Sequence, residues 1–227
     1  MYTIADLPAP LDPARHQRLL ECETATIGHF REEGFIDPEI RCQLDCQLDE
    51  VRVAGVAVTL SLPPGDGTLL NHAMRLLRPG DVLVIDRQGD RRHACWGGVL
   101  TEVGSRLGLA GVIIDGTATD LATLRAKRFP VWSRGVSSLT TKLADQGGAM
   151  NLPVSVGGVV VSAGDVVLAD ENGVVVLPTS EVDAVIDHTL ELQRQEERIL
   201  ERLAQGECLP DISGASSMVE NRLTPSN

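Results

Sequence analysis

The sequence is poor in aromatic residues, which make up 3% of its 227 positions, and its cations are outnumbered by its acids. With 20 Lys and Arg against 32 Asp and Glu, the formal net charge is -12, which repels a phosphate backbone and predicts no nucleic-acid partner. No run reaches the roughly 18 apolar residues that span a bilayer, and the N-terminus lacks the features of a secretory signal. We therefore predict no membrane partner and a cytoplasmic location. A small anionic substrate would need a local cation or a metal to hold it.

Cysteine is also scarce, and the five cysteines form an odd set without Cys-x-x-Cys spacing. Cys42 and Cys46 lie four positions apart, but no neighbouring His or Cys completes a zinc site. We interpret all five cysteines as reduced thiols.

The sequence is rich in short runs of Val, Leu, Ile and Ala, which predict the core. β-Branched or apolar runs bounded by turn residues indicate strands, and apolar residues at helical spacing lie between them. Alternation of strands with helices predicts right-handed crossovers and a partly parallel sheet. The predicted strands are 51–62, 81–86, 111–115 and 129–132, and the predicted helices are 68–77, 95–107 and 119–126.

The two ends of the chain differ from this central pattern. The first fifty residues have mainly helical character, and 152–178 contains three short Val-rich strands separated by turns. Ser180 and Asp183 form a predicted capping box at the start of a charged helix, 182–204, that faces solvent or a neighbouring subunit. We expect a lead at 1–20, a single domain at 20–206 and a loose tail at 207–227.

A pair of glycines, Gly97 and Gly98, opens one predicted helix directly after a loop. Free backbone N–H groups at such a point form an anion site, and glycine lets a ligand approach the main chain. The alternative is that the pair serves only close packing. His93, just before this loop, either faces a pocket or belongs to a solvated basic turn with Arg91 and Arg92.

Two carboxylates, Asp115 and Asp120, follow the predicted buried strand 111–115. Ligand sites of α/β proteins gather beyond the carboxyl ends of strands, and Asp120 is a suitable oxygen ligand for Mg²⁺. The alternative is that Thr119 or Asp120 caps the helix that follows.

A series of segments also runs in the order and with the spacing of a known family. The segments are VAGVAVTL, PPGDG, PGDVLVID, WGGVL, LAGVIIDGTATDLATL, FPVWSRGVS and NLPVSVGGVVVSAGDVVLADENGVVVLP, followed by the charged helix. On these segments the chain resembles the RraA-like / 4-hydroxy-4-methyl-2-oxoglutarate aldolase family. That family includes metal-dependent aldolases that also decarboxylate oxaloacetate, and regulators of RNase E that have lost the chemistry.

The resemblance implies an α/β fold, an α-β-β sandwich of the swivelling phosphohistidine-domain type. It implies a homo-oligomer, a trimer or a hexamer, with active sites between subunits. It further implies that backbone amides of a glycine loop hold the carboxylate of a small 2-oxo acid. In this sequence the loop consists of Gly97, Gly98, Val99 and Leu100.

The resemblance also implies a metal site, with departures. The family's D-G-x-x-R-D motif reads Asp115 to Asp120 here, so Asp120 is the expected ligand for Mg²⁺ or Mn²⁺. Thr119 stands where the family has a substrate-clamping arginine, and Gly98 stands where its aldolases have an acidic residue. An acidic residue of the final helix reaches a neighbour's site in the aldolases, and Glu197 or Glu196 is the matching residue.

These residues lead to two main hypotheses. The first is a divalent-metal-dependent lyase that acts by aldol cleavage or decarboxylation on a small oxo or hydroxy acid, with altered substrate or chemistry. The second is a non-catalytic regulator or interaction protein. Retention of Asp120 favours the enzyme, whereas the loss of the arginine weakens a standard aldolase. Arg91, Arg92, Arg134 and Lys142 are candidate replacements for that cation.

Overall fold

A computed structural model describes residues 1–44 and 51–223 of the chain. Its strands are β1 (Tyr2–Ile4), β2 (Arg41–Cys42), β3 (Val53–Ser61), β4 (Asp81–Asp86), β5 (Gly111–Asp115), β6 (Val131–Ser133), β7 (Gly148–Met150), β8 (Val154–Val156), β9 (Val159–Val161), β10 (Val166–Ala169) and β11 (Val174–Leu177). Its helices are α1 (Pro13–Leu19), α2 (Thr24–Ile27), α3 (Thr68–Ala73), α4 (Gly98–Leu107), α5 (Leu121–Lys127), α6 (Val182–Ala204), α7 (Leu209–Ser213) and α8 (Ala215–Glu220).

The centre of the fold is a parallel unit in which β3, β4, β5 and β6 lie side by side. α3, α4 and α5 connect these strands in turn, because parallel neighbours need a crossover rather than a tight turn. In register, Asp86 at the end of β4 lies opposite Asp115 at the end of β5. The loops that follow these two strands therefore meet at one edge of the sheet.

Antiparallel strands extend this unit on both sides. β10 pairs with β3 and β11, β7 pairs with β3, and β2 pairs with β6. The order along the main path is β1-β7-β3-β4-β5-β6-β2. The combination of a central sheet with helices confirms the predicted α/β class.

Alternation along β10 divides the interior between two cores. Val167 and Ala169 belong to the large core around the parallel strands, whereas Val166 and Leu168 face a second core. Val182, Val185 and Ile186 of α6 fill that second core, which explains why only the first half of this charged helix is buried. None of the described helices has both the length and the apolar character that a membrane span requires.

The structure corrects three details. The segment 152–178 contains four strands rather than three, because Gly157 and Gly158, both at positive φ, make a hairpin between β8 and β9. The described part of the first fifty residues is not mainly helical, since it contains helices of seven and four residues and two strands. The limits of the lead, the domain and the tail stay predictions.

The third correction concerns the start of α6. No side chain caps this helix, and its N-cap residue is Glu181. Asp183 instead accepts hydrogen bonds from Nε and Nη2 of Arg15 on α1, at 2.9 and 2.6 Å. The predicted capping box of Ser180 and Asp183 is therefore wrong, because an ion pair between helices uses its carboxylate.

The described cysteines agree with the prediction where they can be compared. Cys22 and Cys95 are buried thiols, and Cys208 is an exposed thiol. Burial raises the pKa of Cys22 and that of Cys95 to about 11, which keeps both thiols protonated at neutral pH. Cys46 lies outside the described residues.

Candidate active site

The glycine loop opens on a cavity of about 500 Å³ between α4 and α5. Gly97 is the N-cap residue of α4 and has no side chain to accept a hydrogen bond from the first turn. The N–H groups of a first helical turn lack intrahelical partners and carry a partial positive charge. The lining residues are Gly98, Val99, Glu102, Val103, Arg106, Asp120 and Thr123.

The carboxylate of Asp120 supplies the missing acceptor. The Gly98 N–H donates to Asp120 Oδ2 over 2.7 Å, although the two residues are 22 positions apart. Asp120 is the N-cap residue of α5, yet its side chain makes no capping bond to that helix. The alternative that Asp120 caps α5 through its side chain is therefore wrong, since the carboxylate faces α4 and the cavity.

Asp120 has an unusual backbone conformation. Its φ and ψ of 55° and 43° lie in the left-handed region, which is costly for a residue with a Cβ. Such conformations persist where the surroundings enforce them, and they concentrate at functional sites. Here the left-handed turn directs the carboxylate away from its own helix and towards Gly98.

The two glycines differ in how closely the site packs around them. A Cβ on Gly97 would lie 2.7 Å from Asp120 Oδ2 and 2.8 Å from Thr119 Cγ2. A Cβ on Gly98 would lie 3.3 Å from the same Oδ2, which is tight but tolerable. Close packing therefore requires glycine at position 97, whereas position 98 is exposed to the cavity.

Hydrogen bonds fix the loop around Thr119. The Thr119 N–H donates to the Trp96 carbonyl over 2.8 Å, and the Ala118 N–H donates to the Gly135 carbonyl over 3.0 Å. These bonds place Thr119 directly beside Gly97. The structure thus brings together Gly97, Gly98, Thr119 and Asp120, as the sequence predicted.

The remaining predicted residues have separate positions. Val99 is 80% exposed on the first turn of α4, whereas the side chain of Leu100 packs against the large core. Leu100 can therefore contribute to the cavity only through its main chain. Glu197 and Glu196 are exposed on α6, which packs against α1 and α2, so this single chain does not bring them to the glycine loop.

Two cavity residues that the sequence analysis missed form an ion-pair network. Glu102 Oε1 accepts from Arg106 Nε over 2.7 Å, and Glu102 Oε2 lies 2.6 Å from Lys127 Nζ. Hydrogen bonds from Lys127 and then from Arg106 lower the pKa of Glu102. The spacing of four between Glu102 and Arg106 was a visible signal, because such residues are neighbours on a helix.

Asp115, the other carboxylate of the motif, is held by the protein itself. It accepts from Arg134 Nε, and it accepts from the Gly157 N–H over 2.7 Å. Arg134 also donates to Asp37 and Glu39. Hydrogen bonds and charge from Asp115, and then from Asp37, raise the pKa of Arg134. Arg134 is thereby engaged in the structure and does not replace the missing arginine.

The other candidate replacements also lie outside the lining of the cavity. Arg91 is paired with Glu39 at 3.7 Å, while Arg92 and Lys142 are exposed. Among the described residues, the only arginine that lines the cavity is Arg106.

A second group of charged residues, the closed cluster, consists of Asp66, Arg87, Asp90 and His93. Arg87 is fully buried, and its Nη2 lies 3.1 Å from Asp90 Oδ2. Asp90 also accepts from the Gly65 N–H and from His93 Nδ1, at 2.8 and 3.0 Å. Arg91 and Arg92 are exposed, as a solvated basic turn predicts, whereas the His93 side chain is 29% exposed and contacts Asp90.

The carboxylates that line the cavity determine which metal ion the site could hold. Within residues 1–44 and 51–223, no group of three or more His, Cys, Asp or Glu side chains is placed to hold an ion. Asp120 offers one carboxylate at an open cavity, while Glu102 is neutralised by its two cations. This donor set suits Mg²⁺ or Mn²⁺, which keep waters and need one or two carboxylates, better than it suits zinc.

Comparisons with known proteins support the resemblance. The model of the RraA-like family, described as Aldolase/RraA, matches residues 25–176. The 4-hydroxy-4-methyl-2-oxoglutarate aldolase of Thermus thermophilus is 33% identical over 160 residues, which are 70% of this chain and 94% of that protein.

Solved structures are similar over more of the chain. The crystal structure of an uncharacterized protein from Pseudomonas syringae covers 95% of this chain and all of its own, with a TM-score of 0.78 and 22% identity, which shows the fold alone. Streptomyces coelicolor RraAS2, described as an unusual member of the RNase ES inhibitor RraA protein family, covers 85% of this chain and 97% of its own. Its TM-score is 0.70 and its identity is 28%.

Proposed function

This chain belongs to the RraA-like family, and from that premise we propose that it is a divalent-metal-dependent carbon–carbon lyase. Its substrate would be a small oxo or hydroxy carboxylic acid, cleaved by an aldol reaction or by decarboxylation, with altered substrate or chemistry. The observation that carries the proposal is the position of the Asp120 carboxylate. It points away from its own helix and accepts a hydrogen bond from the Gly98 N–H at the cavity.

Asp120 is the residue that would hold Mg²⁺ or Mn²⁺. Its carboxylate is exposed to the cavity, and the cavity has room for the waters that these ions retain. When bound, such an ion polarises a carbonyl oxygen and stabilises the negative charge that develops there.

The first amides of α4 would bind the substrate carboxylate. Val99 and Leu100 supply N–H groups at the positive end of a ten-residue helix, and the Gly98 N–H would join them if the Asp120 carboxylate turned from it to the ion. Gly97 lets Thr119 and Asp120 pack directly against the start of α4, because a side chain at this position would collide with both. The residues of this chain thereby orient one carboxylate next to the metal ligand.

Thr119 and Gly98 are the residues at which the proposed chemistry would differ from that of the family's aldolases. Thr119 has no cation with which to clamp an enolate, and such a donor contributes on the order of 3 kcal/mol to a transition state. Gly98 has no side chain to position a proton-transferring water, a role that contributes about 10² to 10⁴ in rate. We therefore expect slow cleavage of 4-hydroxy-4-methyl-2-oxoglutarate and slow decarboxylation of oxaloacetate.

We further propose that the active form is a cytoplasmic homotrimer or hexamer. Val99 and Val136, 80% and 54% exposed, lie on the glycine loop and beside Ala118, where a second copy would cover them. Glu197 or Glu196 of one copy would then complete the site of another. Light scattering that finds only a monomer of 24.3 kDa would contradict the shared site.

The second candidate function is a non-catalytic regulator or interaction protein. The similarity to RraAS2 favours it. The retained Asp120 and its cavity favour the enzyme.

The test combines binding with turnover. We expect calorimetry to detect Mn²⁺ binding and, with excess Mg²⁺, pyruvate binding, whereas oxaloacetate decarboxylation should barely exceed the rate with metal alone. Thr119→Arg should raise that rate about tenfold, since it restores part of a bidentate cation. Adding Gly98→Asp should raise turnover further and couple to the first change.

Two outcomes would contradict this account. Family-like turnover by the unmodified protein would show that another cation replaces the arginine. If the protein binds neither the metal nor pyruvate, the regulator is favoured.

A further inference from the structure

Three cavity residues form one stripe along α4. Gly98, Glu102 and Arg106 follow at intervals of four, which places them on the same face of the helix. The Arg106 side chain runs back towards the N-terminus of α4, since its Nε bonds Glu102 Oε1 at 2.7 Å. A guanidinium on α4 therefore lies on the same wall of the cavity as the amide of Gly98.

Arg106 can leave its partner at little cost. Its side chain is 78% exposed, and exposed ion pairs contribute little to stability. Glu102 would keep a second cation, because Lys127 Nζ lies 2.6 Å from its other carboxylate oxygen. The Glu102 carboxylate thus has two cationic partners. Of these, Arg106 lines the cavity and is available to an incoming anion.

We infer that Arg106 is a specificity-determining residue that binds a second carboxylate of the substrate. The inference rests on the proposed function, in which the amides at Gly98 hold the first carboxylate. The guanidinium lies beside Glu102, which is four positions after Gly98 and therefore about 6 Å further along the helix axis. A dicarboxylic oxo or hydroxy acid therefore fits between the amides and Arg106.

This role differs from that of the arginine missing at position 119. Arg106 contacts the far end of the substrate, whereas a side chain at 119 lies beside Gly97 and the reacting end. Arg106 thus selects among acids without accelerating the reaction at the carbonyl carbon. Binding of a diacid and slow turnover are compatible in one protein.

The experiment compares a monoacid with a diacid. With excess Mg²⁺, calorimetry gives the dissociation constants of pyruvate and of 2-oxoglutarate for the full-length protein and for Arg106→Gln. The substitution should weaken 2-oxoglutarate about tenfold, as expected for one hydrogen-bonded charge pair, and should leave pyruvate unchanged. Arg125→Gln is the matched control, because Arg125 is an exposed arginine of α5 outside the cavity lining. It should change neither constant.

The outcomes separate this inference from the proposed function. If wild-type protein binds both acids and Arg106→Gln weakens them equally or not at all, the role of Arg106 is overturned and the lyase proposal stands. If wild-type protein binds neither acid with Mg²⁺ present, both are overturned. A selective loss of 2-oxoglutarate in Arg106→Gln alone supports the inference.

Discussion

The closed cluster and the glycine-loop cavity lie after neighbouring strands, yet their charged groups are held in different ways. In the closed cluster, Asp66 accepts hydrogen bonds from the N–H groups of Thr68, Ala144 and Gln146, at 2.8, 3.1 and 2.7 Å. In the cavity, the one hydrogen bond shown for the carboxylate of Asp120 comes from Gly98. Carboxylates in loops after neighbouring strands can thus either have their hydrogen bonds satisfied by the protein or remain available to a ligand.

This difference separates structural from functional charges better than burial or motif membership does. A buried charge is costly unless hydrogen bonds and ion pairs surround it, and the two carboxylates of the closed cluster have little capacity left for a ligand. An exposed carboxylate that accepts one hydrogen bond keeps most of its lone pairs free for a ligand. Substitutions in the closed cluster should therefore lower stability, and substitutions in the cavity should lower ligand binding.

The largest expected effect concerns Arg87. Arg87→Met should lower the free energy of unfolding by about 3 kcal/mol, because it leaves the buried carboxylate of Asp90 without its cation. Urea unfolding at a fixed protein concentration measures this change. Arg91→Met is the matched control, since Arg91 is an exposed arginine of the same loop and should change stability by less than about 0.5 kcal/mol. Equal effects of both variants would contradict the assignment of a structural role to the closed cluster.

A somewhat smaller effect is expected on the free energy of unfolding at acidic pH. Burial by itself raises the pKa of Asp66, but hydrogen bonds from Thr68, Gln146 and Ala144 outweigh it and lower that pKa to about 2. The unfolded carboxyl titrates near 3.9, so this stabilisation is complete above about pH 5 and is lost as the pH falls towards 2. The difference is worth about 2 to 3 kcal/mol.

Asp66→Asn tests this pH dependence. Unfolding free energies measured between pH 5 and pH 2 should fall less steeply for the variant than for the wild type. Asp90→Asn should flatten the profile in the same direction, because hydrogen bonds to that carboxylate also lower its pKa. Parallel profiles for all three proteins would show that these carboxylates do not contribute in the expected way.

The smallest expected change in stability is at Asp120. Asp120→Asn should abolish Mn²⁺ binding in calorimetry and change the free energy of unfolding by less than about 0.5 kcal/mol, because the carboxylate is exposed. Asp115→Asn should do the opposite: it should keep Mn²⁺ binding and lose stability, since Asp115 accepts from Arg134 and Gly157. If Asp120→Asn binds Mn²⁺ as well as the wild type, Asp120 is not the metal ligand.

The sequence predicted the elements that have strong periodicity or clear boundaries. β4 and β5 were located to the residue because turn residues enclose each apolar run, and the range of α6 was also correct. The hairpin between β8 and β9 was missed although a Gly-Gly pair, Gly157 and Gly158, interrupts the Val-rich run and is a turn signal. The positive φ of both glycines shows that the chain turns there.

The candidate site was only partly predictable for a different reason. Motif and resemblance identified Gly97, Gly98, Thr119 and Asp120, which are close in the structure. The distinction between Asp115 and Asp120 depends on Gly157 and Arg134, which are distant in sequence, and no local pattern reveals them. The ion pairs of Glu102 likewise depend on how α5 packs against α4.

The unequal space at the two glycines has a consequence for how this site can evolve. Position 97 admits no side chain without displacing Thr119 and Asp120, so the close packing at the start of α4 requires glycine there. Position 98 faces the cavity, where a new side chain needs only small adjustments. Single substitutions at position 98 can therefore change the groups that face the cavity while the packing around position 97 stays as it is. The loop thus tolerates variation at one glycine and resists it at the other.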